Sequence, residues 1–509
     1  MCATQTTPNL EKSSRLSWLN VSIILSLGLG SICYGYDFSI ITFTVGQPAW
    51  YAYFNLTTDP AKSDLFSYTN NIIGAIFGLF SAGAILGAIF TGWYCDVHGR
   101  KKALVVGAYI NILGGALQAG SVHIAMFILA RFITGFAAAI FVTLVPIYIA
   151  EIAPPATRGL LVGQHGAFFL IGYSLASWVS VGAFFNKETA QFQWRFPLAL
   201  QSLWPLLVLV FVQAIPESPR WLISRGNTAD AWNVLCRLHT TVKGEEHGET
   251  LAKQEFDHIR SQIAMDHAVY GHVSTLDLFC KPHFAKRMLC SAIVMFTSQA
   301  CGNLVIYSNA AILFRGLGFN DSLSLVLSAV YITWACVCNF ANATFLDKLG
   351  RVRSMLYGST TNRGGLAAGV IILFCYITTF AGFCDTTLYV YCSEIFPTHI
   401  RAKGMAWSIS IFMLSTIPFL ESSTIGFSNL GWKYYLIFIV FAVVCTIVMW
   451  IYCPETKGLS LEEINRLFGD EVAFPPGVTE GVGVSVEKTD EESDDRGMAD
   501  KLKIVEAAA

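Results

Sequence analysis

Charge is what this chain has least of. Only 13% of its 509 residues are Asp, Glu, Lys or Arg, against roughly 25% in an ordinary soluble domain. That shortage excludes a disordered protein and a soluble multidomain enzyme. A bias of sign is missing too. The 33 basic and 35 acidic residues leave a net charge of −2, so no basic excess favours nucleic acid as a partner. The 14 cysteines lack paired metal spacing. Cys290, Cys301, Cys336 and Cys338 fall in apolar runs and read as small buried apolar residues. No serine elbow, metal-binding helix pair or phosphate loop stands out. The expectation is therefore no enzyme, no metal and no cofactor. A small-residue cleavage site is also lacking after the first apolar run, which reads as an uncleaved span.

What is abundant is apolar length. The chain is 54% hydrophobic with a mean hydropathy of +0.53. This points to a polytopic membrane protein whose unit is the spanning helix, at about 20 apolar residues each. Eleven runs stand out: Leu16–Tyr36, Leu65–Cys95, Ala103–Ala130, Phe132–Ala150, Leu160–Asn186, Phe196–Pro216, Met288–Phe314, Ser322–Leu346, Gly364–Cys384, Gly404–Leu420 and Lys433–Cys453. Backbone polar groups in lipid must be satisfied within a helix or a closed barrel, and these runs do not alternate as barrel strands would.

Basic residues orient the spans. His98-Gly-Arg-Lys-Lys102, Arg158, the stretch Arg220–Arg287, Lys348–Arg353 and Arg401–Lys403 carry most of the positive charge, whereas Phe38–Asp64 has only Lys62. The basic loops, and with them both termini, are expected in the cytoplasm. The plan that follows has five parts. Residues 1–16 are a cytoplasmic N-terminus and 17–216 a first six-helix bundle. Residues 217–287 are a polar linker with short helices, and 288–453 a second bundle. Residues 454–509 are a cytoplasmic tail that turns acidic at Asp490-Glu-Glu-Ser-Asp-Asp495 and is expected to be disordered.

The two bundles repeat short charged patterns. Asp96-x-x-Gly99-Arg100 recurs as Asp347-x-x-Gly350-Arg351 (347 − 96 = 251). Glu151-x-x-Pro154-x-x-x-Arg158 recurs as Glu394-x-x-Pro397-x-x-x-Arg401 (394 − 151 = 243). Pro216-Glu217 recurs as Pro454-Glu455 (454 − 216 = 238). Each copy falls at the cytoplasmic end of a span. Two similar halves fit a transporter that rocks about a central site.

These motifs carry a resemblance. Gly35-Tyr36-Asp37, Gly92-x-x-x-Asp96-x-x-Gly99-Arg100-Lys101, Val145-Pro-x-Tyr148-x-x-Glu151-Ile-Ala-Pro154-x-x-x-Arg158-Gly159, Pro216-Glu-Ser-Pro-Arg-Trp221 and Pro454-Glu-Thr-Lys-Gly-Leu-Ser-Leu-Glu-Glu463 resemble those of the sugar porter family of the major facilitator superfamily, in particular its fungal members. The resemblance covers roughly residues 17–465. It implies an all-α membrane protein of two pseudo-symmetric six-helix bundles with 12 spans. It further implies transport of a sugar (hexose, pentose or small oligosaccharide) by alternating access, in symport with protons, by a monomeric multi-pass protein of the plasma membrane; the alternatives are an uncoupled facilitator or a membrane sensor that binds sugar without carrying it.

The resemblance also assigns residues. Asp96, Arg100, Glu151, Arg158, Glu217, Arg220, Asp347, Arg351, Glu394, Arg401 and Glu455 would form a cytoplasmic gate, or else simply cap helices. Exposed single pairs contribute only about 0–1 kcal/mol, so a gate must work as a network. Ionisable residues inside spans are functional candidates by default. Asp37 facing Arg131 would couple transport to protons, protonation releasing the pair. Asp385 is either a second polar site near the cavity or part of an outer loop. Gln299, Asn303, Tyr307, Asn309, Gln164 and Tyr389 are candidate sugar contacts, supplying amides and aromatic faces; the alternative is that the amides join helices. His165 reads as a packing residue.

One length does not fit. The first half uses 151 − 100 = 51 residues between Arg100 and Glu151, the second 394 − 351 = 43 between Arg351 and Glu394. Once one span is taken from Leu366–Tyr391, only Val352–Gly365 remains for the ninth, too short and too polar to cross. A defective ninth span and impaired transport are the expectation.

Overall fold

The computed structural model describes residues 18–469 except 58, 60–61, 154–157, 187–188, 244, 271–275, 317, 350–368, 398, 431–432 and 457–460. All lie within the first of two compact units, Met1–Ala473. The acidic tail and the proposed ninth span, Val352–Gly365, lie outside the described residues.

Among the described residues the secondary structure is helical, and 11 helices are long and apolar enough to cross a membrane. Six precede the polar stretch: Ser22–Val45, Ser63–His98, Arg100–Ala119, Ile124–Ile152, Leu161–Phe185 and Phe192–Ala214. Five follow it: Pro282–Ser308, Ser322–Ala341, Leu373–Glu394, Arg401–Ser423 and Tyr434–Tyr452. Between them, Thr228–Lys243 and Glu245–Tyr270 pack as an antiparallel pair. The second of these is 26 residues long, longer than the short helices expected of the linker.

Three boundaries differ from the sequence reading, each for the same reason. A lone charge was taken as the end of a span. The first helix runs through Asp37 to Val45. The third stops at Ala119, and the fourth starts at Ile124, so Arg131 lies inside the fourth helix. The turn signal is Gly120-Ser121, not the charge. Asp385 likewise sits within a continuous helical stretch from Gly369 to Glu394, which removes the outer-loop alternative. A buried charge does not stop a helix, whose backbone is already satisfied; it needs a partner from a neighbouring helix.

Packing follows from small residues. The second and fourth helices cross so closely that a side chain at Gly83 or Gly135 would strike the main chain of the other helix, at Phe132 and Phe80 respectively. Lipid supplies no hydrophobic drive between helices, so such backbone approach is how they gain contact. The two halves meet along two seams, the second helix against Arg401–Leu430 and the fifth against Asp321–Leu349.

Candidate functional site

The first half places a carboxylate deep in the bundle. Asp37 is fully buried, and its Oδ2 accepts a hydrogen bond from Asn111 Nδ2 of the third helix at 2.5 Å. Arg131 Nη1 donates to the main-chain carbonyl of Asp37 at 2.9 Å, and its guanidinium lies 4.1 Å from the Phe80 ring centroid. The expected direct pairing of the two side chains is therefore corrected. The arginine grips the backbone at Asp37 and stays within electrostatic reach of the carboxylate, which is itself held by an amide. A helical carbonyl facing across the bundle is a ready acceptor for a guanidinium, and Asn111 fills the position beside the acid. The sequence signal for Asn111 is weak: it is one of two amides, with Gln118, in the apolar run Ala103–Ala130.

Between the halves lies an aromatic cluster. The Tyr307 hydroxyl bonds Ser39 of the first helix, and its ring stacks on Tyr173 at 5.1 Å. Tyr389 meets His165 at 5.0 Å and Phe169 at 5.8 Å between ring centroids. His165 Nδ1 is bonded to Ser31 Oγ at 2.7 Å, while its buried Nε2 has no hydrogen-bond partner among the described residues. Of the sequence candidates, Tyr307 and Tyr389 thus reach the interface. Gln164 is half-buried and lies one residue from the position, His165, that joins the cluster.

The seventh helix breaks beside this cluster. Pro282–Ala300 ends, Gly302 adopts φ +79°, and Asn303–Ser308 begins anew. A side chain on Gly302 would lie 2.7 Å from the Phe438 ring, so both backbone and space call for glycine. Tyr376 donates to the freed carbonyl of Cys301 at 3.0 Å. Non-helical backbone at membrane depth is tolerated where protein satisfies it. Gln299 turns to Ser298 Oγ at 3.4 Å, and Asn309 bonds Val305 O at 2.9 Å and Ser423 Oγ at 3.5 Å. The buried Oδ1 of Asn303 has no partner among the described residues. These amides sit around the break, and Asn309 does link two helices.

The charged motifs gather at one end of the bundle. Arg100 Nε and Nη2 donate to the two oxygens of Glu151 at 2.9 and 2.8 Å, a buried bidentate pair. Asp96 is 3.7 Å from the same guanidinium. Glu217 accepts from the amides of Arg100 at 3.0 Å, Lys101 at 3.1 Å and Ser218 at 2.9 Å. It thereby caps the start of the third helix. Burial pushes the Glu217 carboxyl above its ordinary range, and those three amides work against it. Arg401 and Lys403 of the second half lie within electrostatic reach of Glu151 and Asp96. Gly92 packs against Ala402, Lys403 and Ala406. Glu394 accepts from the Thr456 hydroxyl at 3.2 Å, and Glu455 from the Thr456 amide at 3.1 Å. Arg220 is buried in the same Pro219–Ser224 turn of helix. The side chains of Arg158, Asp347 and Arg351 lie outside the described residues.

Comparison with known proteins bears on all of this. Residues 23–468 match the family described as "Sugar (and other) transporter". The MFS-type transporter criB of Aspergillus cristatus is 30% identical over 89% of this chain and 95% of its own length. The arabinose-proton symporter of Bacillus subtilis is 26% identical over 91% of this chain and 98% of its own. The solved structure of the major facilitator superfamily proton:xylose symporter XylE superposes with a TM-score of 0.74 at 23% identity, covering 88% of this chain and 99% of that one. The two share the major facilitator fold, of which two pseudo-symmetric helical bundles are the basis.

Proposed function

The chain belongs to the "Sugar (and other) transporter" family, and on that footing we propose that this multi-pass membrane protein carries a sugar by alternating access in symport with protons. Family and fold are those of transporters rather than enzymes. The observation that carries the coupling is Asp37, a buried carboxylate held by Asn111 and within the field of Arg131. A charge at that depth is costly unless it works. The similarity to an arabinose-proton symporter supports both cargo and counter-ion.

The sugar enters between the bundles. Tyr307 and Tyr389 offer flat faces to its ring, while Gln299, Asn303 and Asn309 at the helix break offer amides to its hydroxyls. Gln164 would reach the same space only after a turn of the fifth helix. The Arg100–Glu151 pair, with Asp96, Glu217, Arg220, Arg401, Glu394 and Glu455, latches the cytoplasmic end while the outer end is open. Arg158, Asp347 and Arg351 extend that network. The protein works as a monomer in the plasma membrane.

The test is uptake of labelled arabinose, xylose and glucose in a transport-deficient yeast, with and without a proton uncoupler. The expected result is accumulation that collapses with the uncoupler and in Asp37→Asn. Uptake indifferent to both would leave a facilitator. Sugar-dependent signalling without uptake would make the chain a sensor. The eight-residue shortfall before Glu394 predicts slow uptake, and a rate equal to that of the Bacillus relative would overturn that part.

A further inference from the structure

Asp385 is a second carboxylate at membrane depth, and it differs from Asp37 in its company. It ends the segment Phe380–Asp385, whose turns are π-helical, within the helix that runs on to Glu394. Its Oδ2 accepts from Asn339 Nδ2 of the eighth helix at 3.2 Å, and Asn339 is itself fully buried. Among the described residues no lysine, arginine or histidine forms an ion pair with it. The titratable groups that face it are the phenols of Tyr34 on the first helix and Tyr173 on the fifth, together with Tyr376, Tyr389 and the thiol of Cys384 on its own helix. All of these are neutral near pH 7 in their ordinary state.

An ionised carboxylate with one amide and several phenols but no cation among the described residues is costly in a low-dielectric interior. Carrying a proton removes that cost. The π-helical segment adds a means of moving it. Such a segment holds one residue more than an α-helix of the same rise, and insertions of this kind recur at functional sites. Closing it to α-geometry rotates the flanking residues by about 100°, enough to turn Asp385 away from Asn339 toward another face of the bundle.

We propose that Asp385 is a second proton-carrying site, in the half of the protein opposite Asp37, so that one transport cycle moves two protons with each sugar. The step is simple acid–base chemistry. One proton from the outer phase bonds to the Asp385 carboxylate, and the same bond breaks when the proton leaves to the inner phase. Tyr389, one helical turn further on, stands in the aromatic cluster. A shift of the π segment would therefore move proton site and sugar site together.

The transport arm of this inference rests on the sugar–proton reading, and the test separates the two. In proteoliposomes of the full chain, the reversal potential at fixed sugar and pH gradients gives the protons moved per sugar. Asp385→Asn is expected to halve that number and Asp385→Glu to restore it; an unchanged ratio in Asp385→Asn overturns the proposal. The second readout needs no sugar. Infrared difference spectra of the reconstituted protein across a pH step should show a protonated-carboxyl band that Asp385→Asn removes. Where Asp385→Asn does not assemble, Asp385→Glu should shift the band instead. A band indifferent to the substitution overturns the proposal even if no sugar is carried. A band that responds, without uptake, upholds the proton site and rejects the cargo.

Discussion

The two halves are alike at their ends and unlike in their middles. At one end, Tyr148 donates to the carbonyl of Pro216 at 2.5 Å and Tyr391 to that of Pro454 at 3.2 Å. Glu151 has the Ser218 side chain within its field, and Glu394 accepts from the Thr456 hydroxyl at 3.2 Å. Glu217 and Glu455 each accept the amide of the next residue, at 2.9 and 3.1 Å. In the middle the likeness fails. The first helix is continuous through Asp37, whereas the seventh breaks at Gly302. Asp37 has an arginine nearby, whereas Asp385 has Asn339 and, among the described residues, no ion pair. Repetition at the ends suits a latch that must close each bundle in the same way. Divergence in the middle suits a site that must hold a ligand with no two-fold symmetry.

The largest expected effect tests the latch. Glu151→Gln leaves the buried Arg100 guanidinium with Asp96 at 3.7 Å as its remaining ion-pair partner, and stranding one member of a buried pair costs about 3–5 kcal/mol. The thermal midpoint of the detergent-solubilised protein should fall sharply. Swapping the charges, Arg100→Glu with Glu151→Arg, should recover much of the loss. A single variant as stable as the parent would show that the buried pair is not what closes this end.

A somewhat smaller loss tests the middle. Gly302→Ala forces a side chain into left-handed backbone, at about 1–2 kcal/mol, and into contact with Phe438, at about 1–3 kcal/mol more if the ring cannot yield. Gly182 of the fifth helix, around which nothing lies within 4 Å, is the control. Ala there should be neutral, or stabilising by up to about 1 kcal/mol. Equal thermal midpoints for the two variants would mean that the seventh helix does not need its break.

How much of this the residues disclosed follows the same division. The charged end proposed as a latch was visible because its motifs recur at fixed offsets and place charges where loops leave the membrane. Arg100 and Glu151 pair with each other, whereas Glu217 takes main-chain amides and Glu394 the Thr456 hydroxyl, partners that no spacing names. The middle was less so. Tyr307 and Tyr389 were named, but Asn111, Ser31, Ser39 and Asn339 were not, because a single polar residue in an apolar run has no periodicity to mark it. Asp37, Arg131 and Asp385 are visible in the sequence, but an apolar run stops at each of them. Hydropathy sums treat a charge as an interruption, whereas packing treats it as a demand for a partner. That partner comes from a helix distant in sequence, 111 − 37 = 74 residues away for Asn111 and 385 − 339 = 46 for Asn339. Such pairs are fixed by tertiary packing, which no local pattern records.

The smallest effect measures how exact the likeness of the ends is. Tyr148→Phe and Tyr391→Phe each remove one hydroxyl that bonds a prolyl carbonyl and leave the ring in place. Each loss should fall in the range of about 0.5–1.5 kcal/mol for a single hydrogen bond. The 2.5 Å bond of Tyr148 against the 3.2 Å bond of Tyr391 places the larger loss in the first half. The two hydroxyls belong to separate bundles and share no partner, so the double variant should lose the sum to within about 0.5 kcal/mol. Thermal midpoints of the three variants measure this directly. A larger loss at Tyr391 would reverse the ranking of the two latches. A double variant that departs from the sum would mean that the ends of the two bundles are coupled even without ligand, and the latch would then be one device rather than two copies of it.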